Sequence, residues 1–423
     1  MNYYILPKKN DKISINIKTT TTTTNMEKLE PYVSSSVYHY LNVVLKQIEE
    51  IKKKDALIKY DLIYKISNPY EFIFSNVPGL KYSVSKLKPL NNIFYIFMEI
   101  LINFNILDFF NNGEIKTFFY GKNISSTIEC MNMLREDYND IYQFHSEIQP
   151  VTSEDFNSSE KKSFDFMFFE LKNYINKEQT NEYIINMIRC LQRILIYQKK
   201  NGICVIKLNN LFYKPLIDIL YILTNLYEKI YVVKMNTTNI VNGERIIVCK
   251  NFIQNDEYWV EHDSIKYLGL ANDLQLQLEK MTNGKSNSNG GLFIESIIDN
   301  KLPYYFINKI EDSNVNIGHS QIEQLDLILY MIKNKNRDEK IETIKKNNII
   351  KCIQWCEKYK IPYNKCIDKI NIFLPSVNYI AETIEEVDNN IHNQRDYDDI
   401  DMDDEIISKI LNTQDIINDD IHI

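Results

Sequence analysis

The sequence predicts an α/β protein: an open, mostly parallel sheet finished by one antiparallel hairpin, with helical extensions before and after it. Three observations carry this. Between residues 92 and 252, short apolar runs of strand length alternate with longer segments of helical spacing. The last two strands are separated by a gap too short to hold a helix, and beyond residue 290 apolar residues recur at helical intervals.

Each element follows from its own pattern. The opening stretch ends in "KTTTTTTN" (18–25), a low-complexity tract with no apolar period, so residues 1–25 are expected to be disordered. Spaced Val, Leu and Ile with a charged face in "LNVVLKQIEEIKKKDALIKY" predict helix, and residues 26–79 form a helical preface closed by the turn-rich "SNPYEFIFSNVPG" (67–79). The α/β domain is expected over 80–281. It runs as helix 92–108, strand 115–121, helix 125–136, a short strand at 141–146, strand 164–171, helix 181–199 and strand 203–208. Helix 214–227 and strands 229–235 and 244–252 complete it.

Between those last two strands stands only "NTTNIVNG" (236–243), which requires antiparallel pairing. This is the strand plan of Rossmann-like methyltransferases, whereas ordinary dinucleotide folds keep the final strands parallel. The polar "TNGKSNSNGG" (282–291) reads as a linker. Beyond it, 322–334 and 340–360 have helical spacing within a helical C-terminal module spanning 292–379, and an acidic, Asn-rich tail occupies 380–423.

Composition bounds the function classes. Only 10 Gly and 10 Pro occur against 29 Tyr and 20 Phe, and the Asn, Ile and Lys surplus points to an AT-rich genome such as that of a large DNA virus or a protist. Net charge is −8, but the acids crowd the C-terminal tail, so the rest of the chain permits a nucleic-acid partner without demanding one. Seven cysteines without a signal peptide fit reduced thiols and a cytoplasmic location. "CIQWCEKYKIPYNKC" lacks the second close pair or nearby His of a zinc site, and His145, His262 and His319 have no ligand spacing, so no metal is expected. The most apolar run, "NIFYIFMEILINFNILDFF" (92–110), is broken by Asn, Glu and Asp and predicts a buried helix, not a membrane span. No G-x-S-x-G turn or phosphate loop is present.

The candidate chemistry centres on "NGICVIKLNN" (201–210), where Lys207 sits at the end of an otherwise buried strand. Lysines in such places commonly extend their ammonium to water. The surrounding residues favour another role. The stretch 201–249 resembles, segment by segment, the C-terminal half of the FtsJ-type ribose 2′-O-methyltransferases: Lys207 matches the late strand lysine, Glu244 the glutamate opening the last strand, and Glu170 the place of the aspartate ending the strand "FDFMFFEL". The part beyond 290 resembles the C-terminal extension of FtsJ-like proteins of giant DNA viruses. The resemblance implies S-adenosyl-methionine as cofactor, RNA as substrate, including mRNA caps, and a cofactor loop at "FFYGKNISSTIEC" with Tyr120, Gly121, Asn123 and Ser125. It also implies a host cytoplasmic or virion location, with a protein partner docking through the C-terminal module.

This sequence departs from the family pattern in several places, among them the family's Lys-Pro and Ser-Arg landmarks, which read Lys234-Met235 and Thr238-Asn239 here. Ile96, in "YIFMEI", stands where the family has a first lysine, and only Lys86 or Lys88 of "SVSKLKPL" lies near enough in sequence to replace it. The loop holds a single glycine, Gly121, and glutamate replaces aspartate at 170. Two readings therefore stand: an RNA 2′-O-methyltransferase, or a catalytically degenerate member retained as an RNA-binding, scaffold or virion protein.

Overall fold

The computed structural model describes residues 3–21, 30–54, 60–110, 113–171, 177–253, 266–283, 292–334 and 338–365. In chain order the elements are β1 (Tyr3–Leu6), β2 (Ile15–Thr21), α1 (Ser35–Lys54), α2 (Tyr60–Ser67), α3 (Ile93–Asn103), β3 (Lys116–Tyr120), α4 (Ile124–Leu134), β4 (Ile141–His145) and α5 (Ser153–Asn157). They continue with β5 (Phe164–Glu170), α6 (Lys177–Tyr197), β6 (Gln198–Leu208), α7 (Lys214–Leu226), β7 (Tyr227–Val233), β8 (Arg245–Phe252), α8 (Lys266–Asn283), β9 (Leu292–Ile298), α9 (Tyr304–Lys333) and α10 (Asp338–Lys358). The chain divides into two compact units, Met1–Glu71 with Leu90–Lys335, and Phe72–Pro89 with Asn336–Ile423.

In the first unit a seven-stranded sheet has the order β1-β7-β8-β6-β5-β3-β4. β4, β3, β5 and β6 are parallel, as the alternation with helices requires, and β8 inserts antiparallel between β6 and β7. This is the mixed α/β sheet expected from the short gap at 236–243. Strands buried on both faces carry near-continuous apolar runs, and β5 and β6 do so because helices cover each side. On one face, Phe97 of α3 packs edge-on against Phe119 and Phe168 and lies beside Phe166. On the other, Met167, Phe169, Cys204 and Ile206 join the core formed with α6 and α7.

Behind α6 and α7 lies a further layer that the sequence pattern did not predict. β2 pairs antiparallel with β9 as a two-stranded ribbon, with α8 beside it. The ribbon is docked by a buried carboxylate: Asp218, on the largely apolar α7, accepts the Ile297 backbone N–H at 2.9 Å and pairs with Lys214. Burial raises the Asp218 pKa, against the pull of these partners. The expected disorder over 1–25 is thereby corrected for Tyr3–Leu6 and Ile15–Thr21, which are strands. Each pairs with a segment more than 200 residues away, and local patterning cannot reveal such a partner. Residues 22–29 lie outside the described residues.

The expected separate C-terminal module over 292–379 is also redrawn. β9 and α9 belong to the first unit, and α9 packs on α1 and α2 of the expected preface and on β1. Its crossing with α1 is close: a Cβ on Gly318 would meet Val37 Cγ1 at 2.4 Å.

The second unit contains α10 and residues 72–89. There Ser85 bridges to Tyr363, Lys86 N donates to the Pro362 carbonyl at 2.9 Å, and Asn364 Nδ2 donates to the Ser83 carbonyl at 3.0 Å. Most of the expected linker and the whole acidic tail fall outside the described residues. The six described cysteines are buried free thiols. Among the described residues no helix is long and apolar enough to cross a membrane, and no group of three or more His, Cys, Asp or Glu could hold a metal ion.

A buried lysine between two carboxylates

Strand register brings the candidate residues together. Glu170, the last residue of β5, is the direct partner of Lys207 in the parallel β5–β6 pair. Across β6 from the other side, Lys207 faces Ile246 of β8, and Glu244, two residues earlier, projects to the same side of the sheet. Strand ends of an open α/β sheet are where such groups converge. Lys207 Nζ donates to Glu170 Oε1 at 3.1 Å and lies 3.7 Å from Glu244 Oε1. All three side chains are mostly buried. Burial alone would lower the lysine's pKa, but the charges of Glu244 and Glu170 outweigh it and raise the value above the ordinary one. The amine is an ammonium ion at neutral pH.

Glu170 has a second set of partners. Its carboxylate accepts the Asn123 backbone N–H at 3.3 Å and the Asn123 side-chain amide at 3.3 Å and 3.2 Å, one contact to each oxygen. Asn123 immediately precedes α4, so the carboxylate lies at that helix's positive end. Asn91 Nδ2 donates to Asn123 Oδ1 at 3.2 Å, which turns the Asn123 amide nitrogen toward Glu170. Gly121, with φ of 150°, makes this approach feasible: a Cβ there would lie 2.7 Å from Glu170 Cβ.

The other loop candidates diverge. Tyr120 is buried in the core against Phe169, with its hydroxyl hydrogen-bonded to the Ile148 backbone, and burial pushes its pKa up to about 12. Ser125 is exposed in the first turn of α4. Ile96 is buried within α3. Lys88 Nζ donates to Ser83 Oγ at 3.2 Å inside the second unit.

Several residues position Glu244 in ways that the sequence reading did not foresee. Lys234, just after β7, donates to the carbonyls of Asn239, Asn242 and Glu244 at 3.0, 2.6 and 3.1 Å, bracketing the loop that ends at Glu244. Burial pushes its pKa down to about 7 although Glu244 pulls the other way. Glu99, fully buried on α3, accepts the Asn236 and Thr237 backbone N–H groups at 3.2 and 3.0 Å and the Thr237 hydroxyl at 2.8 Å. A carboxylate inside the apolar "YIFMEI" was the one sequence signal for it. From α9, Gln321 Nε2 donates to the Val241 carbonyl at 2.6 Å, while Asn314 accepts from the buried Arg245 guanidinium and donates to the Leu211 carbonyl at 3.0 Å. Both loops flanking Lys207 are thus tied to a helix outside the alternating region.

The donor set beside Gly121 suits an amino-acid carboxylate, because it already holds one, that of Glu170. Lys207 with its two acidic neighbours can stabilise an oxyanion brought to the strand ends, since a fixed ammonium in a dry site acts strongly on developing negative charge.

No protein-family model matches the chain. The chain is 39% identical over 64 residues to a Trypanosoma brucei brucei protein named cap-specific mRNA (nucleoside-2′-O-)-methyltransferase 1, a match covering 15% of this chain and 17% of that one. It therefore spans only about a sixth of that relative's length. A crystal structure from Plasmodium falciparum, described as a ribosomal RNA methyltransferase, overlaps 37% of this chain and 97% of its own with 15% identity and a TM-score of 0.28, too slight a likeness to bear on function.

Proposed function

We propose that the first unit is an RNA methyltransferase that modifies a ribose 2′-hydroxyl. The observation that carries this reading is the Lys207 ammonium held between the Glu170 and Glu244 carboxylates at adjoining strand ends. The stretch of sequence similarity to a cap-specific mRNA 2′-O-methyltransferase supports the choice of RNA. S-adenosyl-methionine, when bound, supplies a methyl group on a sulfonium. The loop residues Gly121 and Asn123 would hold it through close backbone approach and the donors at the start of α4.

The chain's own work is to orient the hydroxyl and ease loss of its proton. Lys207, already protonated, cannot act as the base; its ammonium stabilises the oxygen as negative charge grows. Glu170 and Glu244 fix the ammonium in place, and a carboxylate of this cluster accepts the hydroxyl proton. The bracket formed by Lys234, Glu99 and Gln321 keeps Glu244 at its post.

A second reading, an RNA-binding or scaffold protein without transferase activity, is favoured by Ile96, which offers no donor where the FtsJ-type pattern has a lysine. Transfer of labelled methyl from S-adenosyl-methionine to capped and uncapped RNA separates the two. Activity that disappears in Lys207→Ala supports the first. Tight RNA binding by folded protein with no transfer on either RNA supports the second.

A further inference from the structure

The carboxylate of Glu170 serves two masters, and the distances leave no slack. Its Oε1 contacts Lys207 Nζ at 3.1 Å and Asn123 Nδ2 at 3.3 Å, while Oε2 contacts Asn123 N at 3.3 Å and Asn123 Nδ2 at 3.2 Å. These are near the long end of hydrogen-bond range. The stem also occupies the space over Gly121, where an added Cβ would meet Glu170 Cβ at 2.7 Å and Oε2 at 3.3 Å. Close backbone approach and a helix-start donor, the two features that suit this loop to an amino-acid ligand, are therefore both taken up from within.

We propose that Glu170 is a latch on the cofactor loop: its carboxylate competes with the carboxylate of the incoming amino-acid-type cofactor for the Asn123 donors, and cofactor binding requires its release. This rests on the reading of the first unit as an S-adenosyl-methionine-dependent enzyme. Aspartate at the same position would be shorter by one carbon–carbon bond, about 1.5 Å. From the same backbone it draws the carboxylate back by about that length from the Asn123 donors, whose contacts already stand at 3.2–3.3 Å, and so weakens the latch. A site whose competent form is only fractionally populated binds with affinity reduced by that fraction, so a latch closed about nine-tenths of the time weakens binding about tenfold.

The test is calorimetric titration of the full chain with S-adenosyl-methionine, for the wild-type protein, Glu170→Asp and Glu170→Ala, each first shown to melt cooperatively. The expected result is a Kd about tenfold lower in Glu170→Asp, which keeps a carboxylate for Lys207, and lower also in Glu170→Ala. If one variant fails to fold, tightening in the other carries the same meaning. Wild-type binding as tight as, or tighter than, that of every folded variant overturns the latch and leaves the methyltransferase reading standing. No binding by any of the three overturns that reading, and the latch with it.

Discussion

Replacing Lys207 by methionine keeps an unbranched side chain, one atom shorter, and removes the charge together with its hydrogen bond to Glu170, which exposes the role of the ammonium. In the native cluster the two carboxylates both reach one nitrogen, at 3.1 and 3.7 Å, so they lie within about 7 Å of each other. At an effective dielectric constant of about 20, two like charges at that separation repel by roughly 2 kcal/mol. Loss of the attractive partner adds to this. Breaking a buried pair from one side commonly costs about 3–5 kcal/mol, and the residual exposure of these groups points to the lower end.

The stability deficit of Lys207→Met should be about 3 kcal/mol at pH 7. Urea denaturation measures it, and Lys207→Met combined with Glu244→Gln should recover much of the loss, because one of the two repelling charges is then gone. A deficit under 1 kcal/mol, or one unaffected by the second substitution, would refute the picture of a charge-coupled triad.

Two further outcomes follow from the bracket around Glu244. Asn314→Ala removes a partner of the buried Arg245 guanidinium and a donor to the Leu211 carbonyl, and should cost about 1–3 kcal/mol in urea denaturation; a change within about 0.5 kcal/mol would mean that α9 does not brace these loops. For Lys234, whose folded pKa is lowered to about 7 from 10.5, the unfolded chain binds more protons between those values, so its contribution to stability grows as pH rises above about 7. Comparing Lys234→Met with wild type at pH 7 and pH 9 should therefore show the wild type gaining relative to the variant at the higher pH, and an unchanged or reversed difference would contradict a desolvated lysine at this site.

The alternating region was legible because both of its signals are local. Buried strands such as "FDFMFFEL" and "ICVIKL" are largely apolar runs whatever their partners; the observed β5 matches the first to within one residue and β6 contains the second. The gap at 236–243 excludes a crossover helix on length alone, which forces the antiparallel β8. Within α9, by contrast, the observed helix begins at Tyr304, whereas apolar spacing predicted only 322–334. Ser313, Asn314 and Gly318 interrupt the period there, yet all three sit on a buried face. Asn314 is satisfied by Leu211 and Arg245, and Gly318 admits α1 at close range. A periodicity of apolar residues cannot register a buried face made of amides and a glycine.

The candidate site divides the same way. That Lys207, Glu170 and Glu244 stand at strand ends follows from sequence, because strand limits are set by pattern, and adjacency of β5, β6 and β8 then brings the three side chains to one side of the sheet. What the sequence by itself determined was therefore the layered α/β plan and the identity of the charged trio. Only the tertiary structure decided that Glu170 also reaches Asn123, that Asn91 orients that amide, that Glu99, Lys234 and α9 hold the Glu244 loop, and that the N-terminal strands pair with segments more than 200 residues away. The physical reason is one of range: periodicity and turn chemistry act over a few neighbouring residues, whereas a hydrogen bond between side chains distant in sequence exists only once the chain has closed around it.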